Sequence, residues 1–228
     1  MAKILVIGGG AMGSAFTIPC LDNKNNVTIT EPYSKQFINN LKSKNKFHSV
    51  LKIKLPKKLK FRIFSKELLK EKFNLIVIAL SLPGINFISK ELKNIKNKTP
   101  ILILTKGLKY DKKRNKILTI SELIKISTKN KNISVLKGPC LAKELAKKNQ
   151  TKVIIANKNI NIAKKIGKLI STNYYQTEFS RDVNGVEFLS AIKNIYSMII
   201  GAGQWHNTSS ALFRKSIDEM KYLSLIHI

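Results

Sequence analysis

The chain has 228 residues, 43% of them hydrophobic, enough for one large domain or one domain with part of another around a substantial core. Its formal net charge is +29, from 42 Lys and Arg against 13 Asp and Glu. Two cysteines, Cys20 and Cys140, without metal or redox spacing, and only three histidines exclude a disulfide scaffold and a zinc module and fit a reducing, cytoplasmic setting.

No apolar run reaches the ~18 residues of a membrane span, so no membrane insertion is expected. No signal peptide is expected either, because the first residues lead straight into a strand. A charge of +29 invites a polyanion partner. The lysines are scattered along the whole chain, and nearly all the basic residues are Lys rather than Arg, the better bidentate reader of phosphates and bases. No aromatic residues interleave with them as in a single-strand binder. The expectation is a solvated basic background and no specific nucleic acid.

The chain opens on Lys3 to Phe16, KILVIGGGAMGSAF. Ile4 to Ile7 is an unbroken apolar run, as in a parallel strand buried on both faces. Gly8, Gly10 and Gly13 follow at G-x-G-x-x-G spacing and lead into a helix over Ala11 to Leu21. That order lets a pyrophosphate approach bare backbone at the positive end of a helix, so the stretch predicts a dinucleotide site. Pro19 lies inside the helix and is expected to kink its last turn. Val27 to Thr30 reads as the second strand. Glu31 ends it, about 20 residues past the glycines, where an acid accepts from the ribose hydroxyls of NAD.

A polar helix is expected over 34–43, then a basic loop over 44–60 with an apolar piece from Val50 to Leu55. Phe61 to Phe64 reads as a third strand, with Ser65 as N-cap of a helix over 66–71. Leu75 to Leu80 and Ile101 to Leu104 repeat the buried-strand pattern. A helix over 85–95 separates them, after the break at Pro83-Gly84. A helix is predicted over 117–126, strands over 133–136 and 153–156, and helices over 141–148 and 160–170. Tyr174-Tyr175 reads as an edge strand.

Strands alternating with helices give a doubly wound, mostly parallel α/β sheet of Rossmann type, whose ligands bind outside the carboxyl ends of the strands. Glu31, Ser81, Lys106 and Gly138-Pro139-Cys140 all follow strands and are expected to line one crevice. After Asp182 no strand is found. The domains are read as 1–180, dinucleotide-binding, and 181–228, the first helices of an incomplete all-helical domain.

Asp182 can cap a long helix that reads as apolar nearly all round, and hence as buried. Lys193 lies on one apolar stripe between Leu189 and Tyr196, with Asn194 beside it. An ammonium held among apolar neighbours is costly, and lysine general acids arise in such places. Lys193 is therefore the candidate catalytic group.

At this point the chain resembles the bacterial NAD(P)-dependent glycerol-3-phosphate dehydrogenases. Gly8-Gly9-Gly10-Ala11-Met12-Gly13 resembles their glycine loop, with Met12 where an aromatic is usual, and Lys54-Leu55-Pro56 resembles their K-L-P. Thr105-Lys106-Gly107 resembles their S/T-K-G. Gly138-Pro139-Cys140-Leu141-Ala142-Lys143-Glu144 resembles their G-P-S-F-A-x-E, with Cys140 in place of serine. Gly185-Val186-Glu187 through Ala191-Ile192-Lys193-Asn194 resembles their G-V-E and A-x-K-N, and Asn207 to Met220 the helix that follows.

The resemblance implies reversible reduction of dihydroxyacetone phosphate to sn-glycerol 3-phosphate, a phospholipid precursor. The cofactor it implies is NAD or NADP, with NAD weakly preferred because Glu31 would repel a 2′-phosphate. It makes Lys193 and Asn194 catalytic. It places Gly8, Gly10, Ala11, Met12, Gly13, Glu31, Lys106 and Ala142 on the cofactor, and Lys106, Gly138, Cys140 and Lys193 on the substrate. No metal is implied, and a homodimer is compatible with it.

The family's helical domain also carries an Arg-Asn motif that grips the substrate phosphate, and an Asp. Neither is present here, Arg214 matches a different arginine, and the ending Ser224 to Ile228 resembles nothing in the family. The chain is accordingly read as a C-terminally truncated copy. Two other readings stay open: another dehydrogenase of the same superfamily, of ketopantoate or hydroxyacid reductase type, and a non-catalytic nucleotide- or RNA-binding fragment.

Overall fold

The computed structural model describes residues 1–43, 45–93, 99–128, 130, 132–203 and 205–226. Its elements run β1 (Lys3–Ile7), α1 (Ala11–Asp22), β2 (Asn26–Thr30), α2 (Lys35–Ser43), β3 (Phe47–His48), β4 (Ile53–Lys54), β5 (Lys60–Phe61), α3 (Lys66–Lys70) and β6 (Leu75–Ile78). The chain continues through α4 (Leu82–Leu92), β7 (Ile101–Ile103), β8 (Leu108–Asp111), β9 (Lys116–Thr119), α5 (Ile120–Thr128), β10 (Ile133–Lys137), α6 (Ala142–Ala146) and β11 (Thr151–Ala156). It closes with α7 (Ile160–Ile170), β12 (Tyr175–Ser180), α8 (Val183–Ala202) and α9 (His206–Ile226).

The main sheet has the order β12-β11-β10-β7-β6-β1-β2-β5. β1 pairs in parallel with β2 on one side and β6 on the other, so the chain reverses its direction of travel across the sheet at β1. Such a reversal opens a crevice at the carboxyl ends of the two strands. The apolar runs form central strands because alternate side chains enter two separate cores. Ile4 and Val6 join Phe16, Val27 and Ile29 on one face, and Leu5 and Ile7 join Ile76, Ile85 and Ile124 on the other. β10 and β11 run antiparallel, joined by a connection that holds only the short α6. A parallel return needs a crossover of a dozen or more residues, usually a longer helix.

Two expected boundaries moved for identifiable reasons. The helix predicted over 117–126 begins at Ile120, and Lys116–Thr119 pairs with Leu108–Asp111 as a hairpin. A reciprocal cap fixes the start of α5: Thr119 N–H donates to Glu122 Oε2 at 2.9 Å, and Glu122 N–H donates to Thr119 Oγ1 at 3.3 Å. Pro83 and Gly84 lie in the first turn of α4, where proline's missing N–H costs nothing. Residues 94 and 95, expected at the end of that helix, lie outside the described residues. The basic loop over 44–60 contains the small β3–β4 hairpin.

The caps read from sequence are present. Ser65 accepts from Leu68 N–H at 3.1 Å and Asp182 from Gly185 N–H at 2.7 Å. The burial expected along α8 is not. Val183, Gly185 and Glu187 are buried against the sheet, but Ile195, Met198 and Ile199 are 58%, 75% and 43% exposed. The buried residues of α8 fall in its first turns, against the sheet, and α9 is its other main packing partner. Among the described residues, no helix is long and apolar enough to cross a membrane.

Candidate functional site

The glycine loop leaves β1 at the point where the chain reverses. Gly8 has φ +118°, and a Cβ there would lie 2.5 Å from the Ala79 carbonyl oxygen. A Cβ on Gly13 would lie 2.0 Å from the Gly8 carbonyl oxygen, so only glycine lets α1 sit this close to the strand. Gly10 is the opposite case. It caps α1 with ordinary backbone angles (φ −62°, ψ −179°), and a Cβ there would meet nothing within 4 Å. No side chain caps the helix at this position. Bare backbone at a helix N-terminus therefore faces open space, the cradle that a pyrophosphate fits.

The cradle can be tested without disturbing the fold. Gly10→Val places a side chain in that open space at angles valine adopts without strain. Its melting temperature is expected to match wild type, while affinity for NADH falls about tenfold, the scale of one or two lost charge-assisted hydrogen bonds. Calorimetric titration beside a thermal melt measures both.

Glu31 sits at the end of β2 beside this loop. Its carboxylate accepts from Gly9 N–H at 2.8 Å and from Tyr33 N–H at 3.1 Å. Beyond the loop, the ends of β6, β7 and β10 open into a mainly apolar cavity of about 370 Å³. Met12, Lys106, Gly138, Cys140 and Ala142 all line it, together with Ala79, Leu80, Thr105, Lys137 and Tyr175. Five of the expected site residues thus share one cleft, reached from three separate segments. Glu31 lies at the glycine loop rather than among the residues lining the cavity. Ser81 instead stands at the N-cap position of α4 without a side-chain capping bond, and its neighbour Leu80 takes the place expected for it in the cleft.

Three lysines set the electrostatics of the cleft: Lys106, exposed at its mouth, Lys193, half-buried, and Lys137, buried. Partial desolvation holds Lys106 below the usual lysine range; the Lys193 ammonium lowers it further, and Cys140 opposes. Lys193, half-buried on α8, is therefore within electrostatic reach of the cleft. Asn194 is exposed, about 100° round the helix from Lys193. Burial pushes the Cys140 thiol up to about 11, against the pull of Lys106, so it lines the cleft as a neutral thiol.

Two further buried charges stand here: Lys137, to which the sequence drew no attention, and Glu187, named there only within Gly185-Val186-Glu187. Lys137, at the end of β10, is 5% exposed, and its ammonium donates to the Thr105 carbonyl and, at 3.4 Å, to that of Leu104. Burial pushes it down to about 8, opposed by the attraction of Glu187. Glu187 is 2% exposed on α8, and its two oxygens accept from Ser121 N–H at 3.3 and 3.2 Å. Desolvation raises its carboxyl, with Lys137 opposing. A lysine closing an apolar strand reads as a solvated strand end, and only its place directly before Gly138-Pro139-Cys140 hinted otherwise. Among the described residues, no group of His, Cys, Asp and Glu could hold a metal ion.

Residues 3–163 match the family model described as NAD-dependent glycerol-3-phosphate dehydrogenase N-terminus. A glycerol-3-phosphate dehydrogenase [NAD(P)+] of Clostridium botulinum is 29% identical over 226 residues, covering 96% of this chain and 66% of that protein. An NADP(+)-dependent glycerol-3-phosphate dehydrogenase of Archaeoglobus fulgidus is 30% identical over 207 residues, covering 86% of this chain and 59% of the other. The crystal structure of a glycerol-3-phosphate dehydrogenase from Coxiella burnetii superposes with a TM-score of 0.83 at 22% identity, over 99% of this chain and 69% of that one. The chain thus spans about two thirds, or less, of the length of the curated relatives named here.

Proposed function

The chain belongs to the NAD-dependent glycerol-3-phosphate dehydrogenase family, and on that footing we propose that it carries the dinucleotide-binding part of an enzyme interconverting dihydroxyacetone phosphate and sn-glycerol 3-phosphate. The observation that carries the reading is the junction of the open Gly10 cradle with a cleft flanked by two lysines, Lys106 and Lys193. Gly8, Gly10, Ala11, Met12 and Gly13 hold the pyrophosphate and its approach, Glu31 the ribose, and Lys106 and Ala142 the inner part of the cofactor. When bound, the nicotinamide supplies the hydride.

Hydride arriving at a carbonyl carbon leaves negative charge on the oxygen, which needs a proton or a fixed cation. Lys193, with Asn194 beside it, supplies the proton at that oxygen. Lys106, partly desolvated and pressed by a second ammonium, adds fixed positive charge for the developing oxyanion or the substrate phosphate. Gly138 and Cys140 shape the wall against which the three-carbon substrate lies. Residues 1–180 form the dinucleotide unit, and 181–228 belong to a helical unit in which Ile195, Met198 and Ile199 are exposed.

The direct test is a chimera carrying the C-terminal third of the Clostridium relative. NADH oxidation is expected with dihydroxyacetone phosphate and not with ketopantoate or 2-oxo acids. Oxidation driven by ketopantoate would instead favour the reductase reading. Glu31 further implies that NADH binds more tightly than NADPH, because its carboxylate stands where a 2′-phosphate would arrive. Glu31→Ser is expected to shrink that preference about tenfold, the scale of one partly screened like-charge pair. Parallel titrations with both cofactors measure it, and tighter NADPH binding in the wild type would reverse the assignment.

A further inference from the structure

We propose that His48 is a positioning residue for the dinucleotide pyrophosphate, acting through the Gly9–Gly10 peptide. It rests on the glycine loop being the dinucleotide site. His48 ends β3, in the hairpin that follows α2, and is 1% exposed. Its Nδ1 accepts from Leu51 N–H at 3.3 Å. With Nδ1 accepting, the neutral ring carries its proton on Nε2, which donates to the Gly9 carbonyl oxygen at 3.2 Å. The ring is held from the side by Phe37, edge to face, with centroids 5.8 Å apart.

The same peptide is gripped by a second donor, Ser14 Oγ, which reaches the Gly9 carbonyl at 2.8 Å, and the preceding Gly8–Gly9 peptide is held by Glu31, which accepts from Gly9 N–H at 2.8 Å. A peptide bond is planar and trans, so its carbonyl and the following N–H point in opposite directions. Holding the Gly9 carbonyl inward between His48 and Ser14 therefore aims the Gly10 N–H outward. A Cβ on Gly10 would meet nothing within 4 Å, so the space beside this peptide is open to a pyrophosphate. Unaided, two successive glycines could turn that plane freely. His48 removes the freedom before the ligand arrives, which lowers the ordering cost of binding.

The hairpin that presents His48 is itself firmly set. Lys52 N–H donates to the His48 carbonyl at 2.8 Å, Leu55 N–H donates to the Lys46 carbonyl at 2.9 Å, and Leu51 and Leu55 are buried in the core below. Lys46 and Lys52 accept positive φ angles of 61° and 55° to make its turns. A structure that spends strain on a short hairpin, with one buried imidazole reaching the phosphate loop, places that imidazole for a purpose beyond packing.

Two substitutions separate positioning from packing. Asparagine at 48 keeps an oxygen for the Leu51 N–H but is too short to reach Gly9, whereas the amide of glutamine reaches as far as Nε2. The probes are NADH, ADP-ribose and adenosine, titrated calorimetrically against wild type, His48→Asn and His48→Gln, with a thermal melt of each. His48→Asn should bind NADH and ADP-ribose five- to tenfold more weakly, about the worth of one hydrogen bond, with adenosine unchanged. His48→Gln should recover most of the loss. Equal affinities for His48→Asn and wild type would overturn the proposal, as would an adenosine loss matching that of ADP-ribose. A wild-type chain that binds neither NADH nor ADP-ribose would overturn the dinucleotide reading itself.

Discussion

Replacing Lys193 by methionine, in a chain extended with the C-terminal third of a relative, is expected to lower kcat about 10²-fold or more, with NADH affinity unchanged. Methionine keeps the length and apolar stem of lysine and removes only the charge and the proton. Lys193 acts on the substrate oxygen, whereas the dinucleotide is held by a loop on another element, so the two readouts should part. In the 228-residue chain itself, turnover is expected at background. The later turns of α8 stand open to solvent, with Met198 75% exposed, and Lys193 is only half-buried. A proton donor on an uncovered helix is not fixed in the geometry that reaction requires. Single-turnover reduction of dihydroxyacetone phosphate, followed by NADH absorbance in both chains, measures the effect. An unimpaired Lys193→Met would remove Lys193 from the chemistry.

Lys137→Met is expected to destabilise the fold by about 3 kcal/mol, a fall in melting temperature of roughly 10 °C. The cost arises at Glu187, 2% exposed, which would lose the positive charge that offsets its desolvation and keep only its hydrogen bonds around Ser121 and Thr119. Lys137→Met combined with Glu187→Met should be less destabilised than the sum of the single variants, because the attraction between the two buried charges is then lost only once. The wild type also carries a pH signature. The folded state pushes Lys137 from 10.5 down to about 8, so between those values the unfolded chain binds more protons than the folded one. Stability due to this group therefore rises with pH from about 8 towards 10.5, and that rise should vanish in Lys137→Met. Denaturant melts across that window test both statements. A double variant as unstable as the sum of its singles would show that the two residues do not share one interaction.

Much of this architecture was legible because burial on both faces leaves a plain mark. Ile4 to Ile7, Leu75 to Ile78 and Ile101 to Ile103 are apolar without a break because each contributes to two cores at once. The glycine loop was legible because steric demands at Gly8 and Gly13 admit one residue type. The β8–β9 hairpin left no such mark, since Tyr110 and Ile117 are more than half exposed and its strands follow no alternation. The Thr119–Glu122 cap was visible as T-x-x-E, but the apolar run through Ile117 obscured it. His48 was not legible at all, and Lys137 only through its place before Gly138-Pro139-Cys140. Each matters through a contact with a segment distant in sequence, Gly9 in one case and Thr105 in the other. For α8, composition implied burial, whereas the partners present decide how much of it is buried.

NADH titrated into the 228-residue chain should bind saturably, one to one, in the micromolar range, with competition by ADP-ribose and a loss of about tenfold in Gly10→Val. Absence of saturation at millimolar NADH, or binding indifferent to Gly10→Val, would contradict the dinucleotide reading.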